Sequence, residues 1–211
     1  MSNPNLSGKD LARRLVWDER HSSVAPIEDH HPHRVLVDEI AGLPPGRALD
    51  LGTGDGTNAI WLARRGWQVT AVDFSPVALD KGRAAAEAAG VRVDWKEADL
   101  LEYRPRVRWF DLVILLFIHL PANERRAVYA RAAGAVAVGG TLLVIGHDRT
   151  NLAEGIGGPQ DPTVLFTPDE IAAELPGLTV EKAVVLRRRA TDGGPIDALV
   201  RATRHSGLQA G

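Results

Sequence analysis

The sequence has no cysteine, so it can form neither a disulfide nor a thiolate metal site. It has no run of ~18 or more apolar residues, which excludes a membrane-spanning helix. It has no excess of positive charge. Its 25 Lys and Arg stand against 27 Asp and Glu, a formal net charge of −2, so nothing draws the chain generally to nucleic acid or to an anionic membrane. The opening residues, Met1 to Gly8, lack the basic-then-apolar order of a secretory signal. Internal repeats and domain linkers are also missing. Together these absences fit a cytoplasmic protein. The excess of arginine over lysine, with abundant alanine and glycine, reads as coding bias without functional weight. What is present is 211 residues, 45% of them hydrophobic, enough for one globular domain with a sizeable core.

The chain is arranged around residues 47–58. Arg47-Ala48-Leu49-Asp50-Leu51 is an apolar segment carrying one acid. Gly52, Gly54 and Gly56 follow at alternate positions, and the apolar run Ala59-Ile60-Trp61-Leu62-Ala63 then begins. This reads as strand, tight turn and helix. Glycine lets a ligand approach the main chain, and the helix start offers free N–H groups. The dinucleotide fingerprint G-x-G-x-x-G fails when counted from Gly52, because Thr57 holds its last position. Counted from Gly54 the loose form passes, but too far from the strand. Asp50 is the sharper feature: a carboxylate there repels a pyrophosphate and attracts an ammonium group.

The run Leu49-Asp50-Leu51-Gly52-Thr53-Gly54-Asp55-Gly56 resembles motif I of the class I S-adenosylmethionine-dependent methyltransferases. Further matches follow in order: Val69 to Ser75, Glu97-Ala98-Asp99-Leu100, Phe110-Asp111-Leu112-Val113, and Gly139 to Val144. Together they span roughly residues 40–150 and are specific as a set. More closely, the chain resembles the small bacterial tellurite-resistance and thiol methyltransferases. The resemblance implies S-adenosylmethionine as cofactor, with S-adenosylhomocysteine as product. That cofactor carries an ammonium and a sulfonium and no phosphate.

Alternating strand and helix signals predict an α/β fold, a Rossmann-like parallel sheet with helices on both faces. Strands are expected at 47–51, 67–73, 91–96, 109–117 and 141–146, with helices to Arg65, over 76–89 and over 121–137. The helix over 121–137 is closed by Gly139-Gly140. Residues 149–166 read as irregular, because Gly155, Gly157, Gly158, Pro159 and Pro162 forbid regular structure. A short helix from Thr167 precedes strands 178–189 and 195–204, which flank the turn Asp192-Gly193-Gly194-Pro195 as an antiparallel terminal hairpin. The resemblance implies seven strands in the order 3-2-1-4-5-7-6. Residues 46–211 are then one domain, and residues 1–45 a helical segment that lies over the cofactor as a lid.

Ligands bind such sheets beyond the carboxyl ends of the strands, at the switch point between strands 1 and 4. Asp73, 19 residues past Gly54, stands where an acid accepts hydrogen bonds from ribose hydroxyls. The resemblance places Asp50, Gly52, Thr53 and Gly54 at the methionine end. Phe74, next to Asp73, is expected to pack on the adenine, and the resemblance places Asp99 and Leu100 at the adenine amino group; Ser75 and Ala98 beside them complete the expected cofactor-binding set. Leu116 and Phe117 fall on the sulfonium side. His119 and His147, just past strands 4 and 5, are the candidates for a base. Trp17, His31 and His33 are the candidate lid and substrate residues. His30-His31-Pro32-His33 is not spaced for a metal, so no metal site is expected.

The expected partner is a small-molecule methyl acceptor with a sulfur, selenium, tellurium, oxygen or nitrogen nucleophile. Nucleic acid and membrane are not expected, and the chain reads as a monomer or homodimer. Two alternatives stay open. One is a methyltransferase acting on a macromolecule; the other is a non-catalytic module that binds the cofactor.

Overall fold

The alternating signals fold into one sheet. The computed structural model describes residues 15–19, 22, 31–188 and 194–206. Residues 15–19 are helical. The chain then runs α1 (Arg34–Ile40), β1 (Arg47–Leu51), α2 (Thr57–Arg64), β2 (Gln68–Asp73), α3 (Pro76–Ala88), β3 (Asp94–Glu97) and β4 (Phe110–Leu116). After these come α4 (Ala122–Ala135), β5 (Val136–His147), α5 (Asn151–Glu154), α6 (Pro168–Ala173), β6 (Thr179–Arg187) and β7 (Ile196–Thr203). The strand order is β3-β2-β1-β4-β5-β7-β6. Strands β1 to β5 pair in parallel, and β7 lies antiparallel to both β5 and β6. The hairpin turn expected at 192–195 falls largely outside the described residues.

Both faces of the sheet are covered, which is why β4 reads as an unbroken apolar run from Leu112 to Leu116. Leu49, Leu51, Val113, Leu115, Leu142 and Val144 point into one core, filled by Val128, Tyr129 and Ala132 of α4 and Ile171 of α6. Ala48, Leu112, Ile114, Leu143 and Ile145 point into the other, filled by α1 and α2. Leu36 and Ile40 of α1 are buried there, so residues 34–40 pack as part of the body. The helix starts follow their sequence signals. Ser75 Oγ accepts the Ala78 N–H ahead of Pro76. Thr167 and Glu170 form a reciprocal capping box.

Three expectations need correction. Strand β5 starts at Val136, so α4 is shorter than 121–137 and Gly139-Gly140 lie inside the strand. Gly139 takes a positive φ of 78° where the β4–β5 register shifts, and its N–H donates to Arg204 O. The apolar, partly β-branched run Val136-Ala137-Val138 suits a strand and ends the helix early. Strand β3 begins at Asp94, three residues later than expected, because the Val91 N–H is turned back to close α3 on Ala86 O. Residues 149–166 are also more ordered than their glycines suggest. They contain α5 and a 3₁₀ turn at Pro162–Val164, and Phe166 bridges to Asp148 and is fully buried.

Arg125 of α4 and Glu174, just past α6, meet as a buried ion pair. Nε and Nη2 of Arg125 each donate to a different Glu174 oxygen, both at 2.9 Å. Burial works against the Arg125 charge, but the Glu174 contacts outweigh it and raise the pKa. Removing one partner strands the other in the core. Glu174→Ala should therefore cost about 3–5 kcal/mol in urea unfolding. Asp38→Ala, which breaks the exposed Arg34–Asp38 pair, should change stability by less than about 1 kcal/mol.

Candidate functional site

Gly52, Gly54 and Gly56 all take positive φ, at 74°, 58° and 79°, which folds the chain back sharply after β1. A Cβ on Gly52 would overlap the Ile118 side chain. The turn is fastened to the end of β2. Gly52 and Thr53 N–H both donate to Val72 O, at 2.8 and 3.0 Å. Asp73 Oδ2 accepts the Gly54 N–H and Asp73 Oδ1 accepts the Ser75 N–H, both at 2.9 Å. Asp50 is buried below the turn and accepts a 2.7 Å hydrogen bond from Thr53 Oγ1. Burial, reinforced by the neighbouring charges of Asp73 and Asp55, pushes its carboxyl up to about 7 against the opposing effect of Thr53. The turn thus has acids around it, and burial penalises the charge of Asp50.

A cavity of about 250 Å³ opens beside the turn, at the carboxyl ends of β1, β2 and β4. Many of the residues singled out in the sequence meet on its wall: Trp17, Gly52, Gly54, Asp73, Phe74, Asp99, Leu100, Leu116, Phe117 and His119. Ile118 and Leu120 complete the lining and were missed. Both stand in the segment after β4, where one apolar residue looks like the next. Asp50, Thr53, Ser75 and Ala98 are not on the wall. Ser75 is fully buried as the α3 cap and donates to Asp18 Oδ1, which ties the helical residues 15–19 to the end of β2. Ala98 N–H donates to Asp73 O and so positions the strand end that carries Asp99.

His33 and His147, neither of them on the cavity wall, gather around Phe117, which takes a left-handed φ of 58° directly after β4. The His33 ring meets it edge-on at 5.1 Å, and the His147 ring lies 5.2 Å away. His119 and His147 lie parallel, with centroids 5.3 Å apart and planes 8° apart. The His147 N–H donates to His119 Nε2 at 3.5 Å. Burial and then the nearby Arg188 charge lower the His33 pKa, against the pull of Asp197. His31 is exposed and away from the cavity. Among the described residues no group of three or more metal-ligating side chains comes together.

Two wider grooves lack these features. One runs along α4 and α6 past Arg125 and Arg149; the other lies by Trp67 and Trp109, at the amino ends of the strands. Neither contains the glycine turn.

The acid-ringed turn makes a pH prediction. The Asp50 pKa is raised in the folded chain, from 3.8 to about 7. The folded state therefore binds the extra proton between those values, and its stability falls as pH rises through that window. Asp50→Asn keeps an acceptor for Thr53 and removes the charge. Thermal melts of the ligand-free variant should lie above wild type at pH 8, with the gap closing as pH is lowered towards 4.

Comparison with known proteins agrees with this arrangement. Residues 48–140 match a family model described as a methyltransferase domain. A ubiquinone biosynthesis O-methyltransferase from Hahella chejuensis is 31% identical over 137 residues, covering 64% of this chain and 57% of that protein. The chain thus spans less than two thirds of that relative. Among solved structures, magnesium protoporphyrin IX methyltransferase from Synechocystis PCC 6803 with bound S-adenosylmethionine superposes with a TM-score of 0.67 at 18% identity. That superposition covers 96% of this chain and 100% of the other. The [4+2]-cyclase SpnF superposes with a TM-score of 0.73 at 16% identity, over 95% and 97% of the two chains. The glycine turn, the strand order and the matched domain in one chain together support a class I S-adenosylmethionine-dependent methyltransferase.

Proposed function

We propose that the protein transfers the methyl group of S-adenosylmethionine to the nucleophilic atom of a small molecule. The observation that carries this reading is the single cavity that joins the acid-ringed glycine turn to His119. One end suits a cationic amino acid and a ribose; the other offers a polar ring to an acceptor. A cyclase shares the fold, so the reading rests on these residues and not on the fold alone.

The residues fit the cofactor. Burial and its acidic neighbours disfavour the Asp50 charge, a penalty that an ammonium group would relieve. The Gly52–Gly54 main chain lies open on the cavity wall. Asp73 stands on the cavity wall, where its carboxylate would accept from ribose hydroxyls. Asp99 stands on the wall at the end of β3, for the adenine. When bound, the cofactor supplies an electrophilic methyl carbon on a sulfonium that leaves as a neutral thioether. The chain's own share is to bind, orient and exclude water. Leu100, Leu116, Ile118 and Leu120 give the cavity an apolar lining, and Trp17 stands at its edge from the N-terminal segment.

The small volume, the Trp17 edge and the net charge of −2 favour a small acceptor over a macromolecule. The relatives that act on oxygen make hydroxyl compounds the first to try. A panel of phenols, thiols, amines and metalloid oxyanions, followed by S-adenosylhomocysteine release, tests the reading. Binding of the cofactor with no release from any acceptor would favour a non-catalytic module. Asp73→Ala removes both backbone anchors and the ribose acceptor. It should weaken S-adenosylhomocysteine binding in calorimetry by about 1–3 kcal/mol. Unchanged affinity would take Asp73 out of the site.

A further inference from the structure

The β5–β7 pairing sets His147 directly opposite Asp197. Asp197 is fully buried in a strand that is otherwise apolar over most of its length. Its Oδ1 lies 3.2 Å from His147 Nδ1, close enough for a charge contact though out of line for a full hydrogen bond. On the other side stands Arg188, one residue past β6. Its Nη2 donates to Asp197 Oδ1 at 3.2 Å, and its Nε lies 2.7 Å from Oδ2. A buried carboxylate is costly unless paired. This one has Arg188 as its counter-ion and the imidazole as its second neighbour.

We infer that Asp197 is a positioning residue for His147, holding its Nδ1–H so that Nε2 keeps the lone pair and takes the proton of a hydroxyl acceptor. The inference rests on the methyl-transfer reading and narrows it to acceptors whose nucleophilic atom arrives protonated. Three imidazoles surround Phe117, and they are not equivalent. His33 is hindered from taking a proton by burial and by Arg188. His119 has its Nε2 turned to the His147 main-chain N–H. His147 has a carboxylate on its Nδ1 side to orient the ring and to stabilise the cation. In the step assigned to it, the O–H bond breaks, the proton bonds to Nε2 and both electrons of the bond stay on the oxygen.

Gly158 sets the approach to that nitrogen. It holds a left-handed φ of 80°, and an added Cβ would lie 2.6 Å from Cδ2 and 2.9 Å from Nε2 of His147. The 149–166 segment therefore rests on the imidazole through a residue with no side chain.

The experiment is long-range ¹H–¹⁵N NMR of the His147 ring in the full chain, free and with S-adenosylhomocysteine. Wild type should show the Nδ1–H tautomer. In Asp197→Asn, Arg188 claims the amide oxygen, so the amide NH₂ faces His147 and the tautomer should invert to Nε2–H. Methylation of a phenol should then fall about 10²–10⁴-fold in kcat, the usual share of a positioned base. Methylation of thiophenol, ionised at pH 8, should fall less than tenfold, and S-adenosylhomocysteine affinity should not change. Gly158→Ala, which displaces the ring without touching the ion pair, should also lower phenol turnover at unchanged affinity. An Nε2–H tautomer in wild type overturns the inference, as does equal loss on both acceptors. Failure of wild type to bind S-adenosylhomocysteine or to methylate either probe defeats the methyl-transfer reading instead. The tautomer of the free protein then still decides what Asp197 does.

Discussion

The Asp73 carboxylate holds the site together. It stands at the end of β2 and takes one N–H from the glycine turn and one from the start of α3. The turn after β1, the strand end of β2 and the cap of α3 are thus locked to a single side chain. The main chain adds to the lock, since Val72 O accepts two N–H groups of the same turn. Without this fastening the three left-handed glycines would have many other conformations to visit. The acceptor atoms that rigidify the turn are also carboxylate atoms, so the fastening brings negative charge to the cavity. Asp50 and Asp55 add to it from below and beside. The same atoms that give the turn its shape would, in the proposed site, favour a cationic ligand.

That preference has a cost in the free protein. A carboxyl pushed to about 7 by burial is a site where the fold gives up stability. Phe117, held in a left-handed conformation that bulky residues avoid, is a second such place. Both lie at the ends of strands whose middles are packed on both faces. Two apolar cores and the buried Arg125–Glu174 pair tie the sheet to its helices away from the cavity. The strain is therefore local, and the frame that carries it is overdetermined.

The sequence made one half of this arrangement legible and hid the other. Residues 47–75 could be read because their chemistry is local: an acid, three alternate glycines, a strand and a second acid at the right distance. Only a tight turn accommodates those glycines, and only a strand end puts Asp73 beside them. Asp197 and Arg188 could not be read in this way. Asp197 sits in a strand whose neighbours are apolar, and its meaning comes from the residue opposite it on β5. That pairing joins positions 50 residues apart and depends on antiparallel register, which a one-residue slip would invert. Residues 149–166 misled for a related reason. Their glycines signal freedom, but Phe166 returns to the core and Asn151 bonds both Gly157 O and the Ile196 N–H, so tertiary contacts fix what local preference left open.

The methyltransferase-domain match falls on one half and stops short of the other. The stretch matched by the methyltransferase family, residues 48–140, contains the glycine turn, Asp73, Asp99 and His119. His147, Gly158, Arg188 and Asp197 all lie beyond it. The parallel half of the sheet can keep one shape for one cofactor, because its contacts are mostly main chain and strand-end acids. The antiparallel half brings its residues from two strands and a connecting segment, each free to change without disturbing the turn. The antiparallel half brings a buried acid, an imidazole and a glycine together in space, the arrangement on which the proposed role of Asp197 rests.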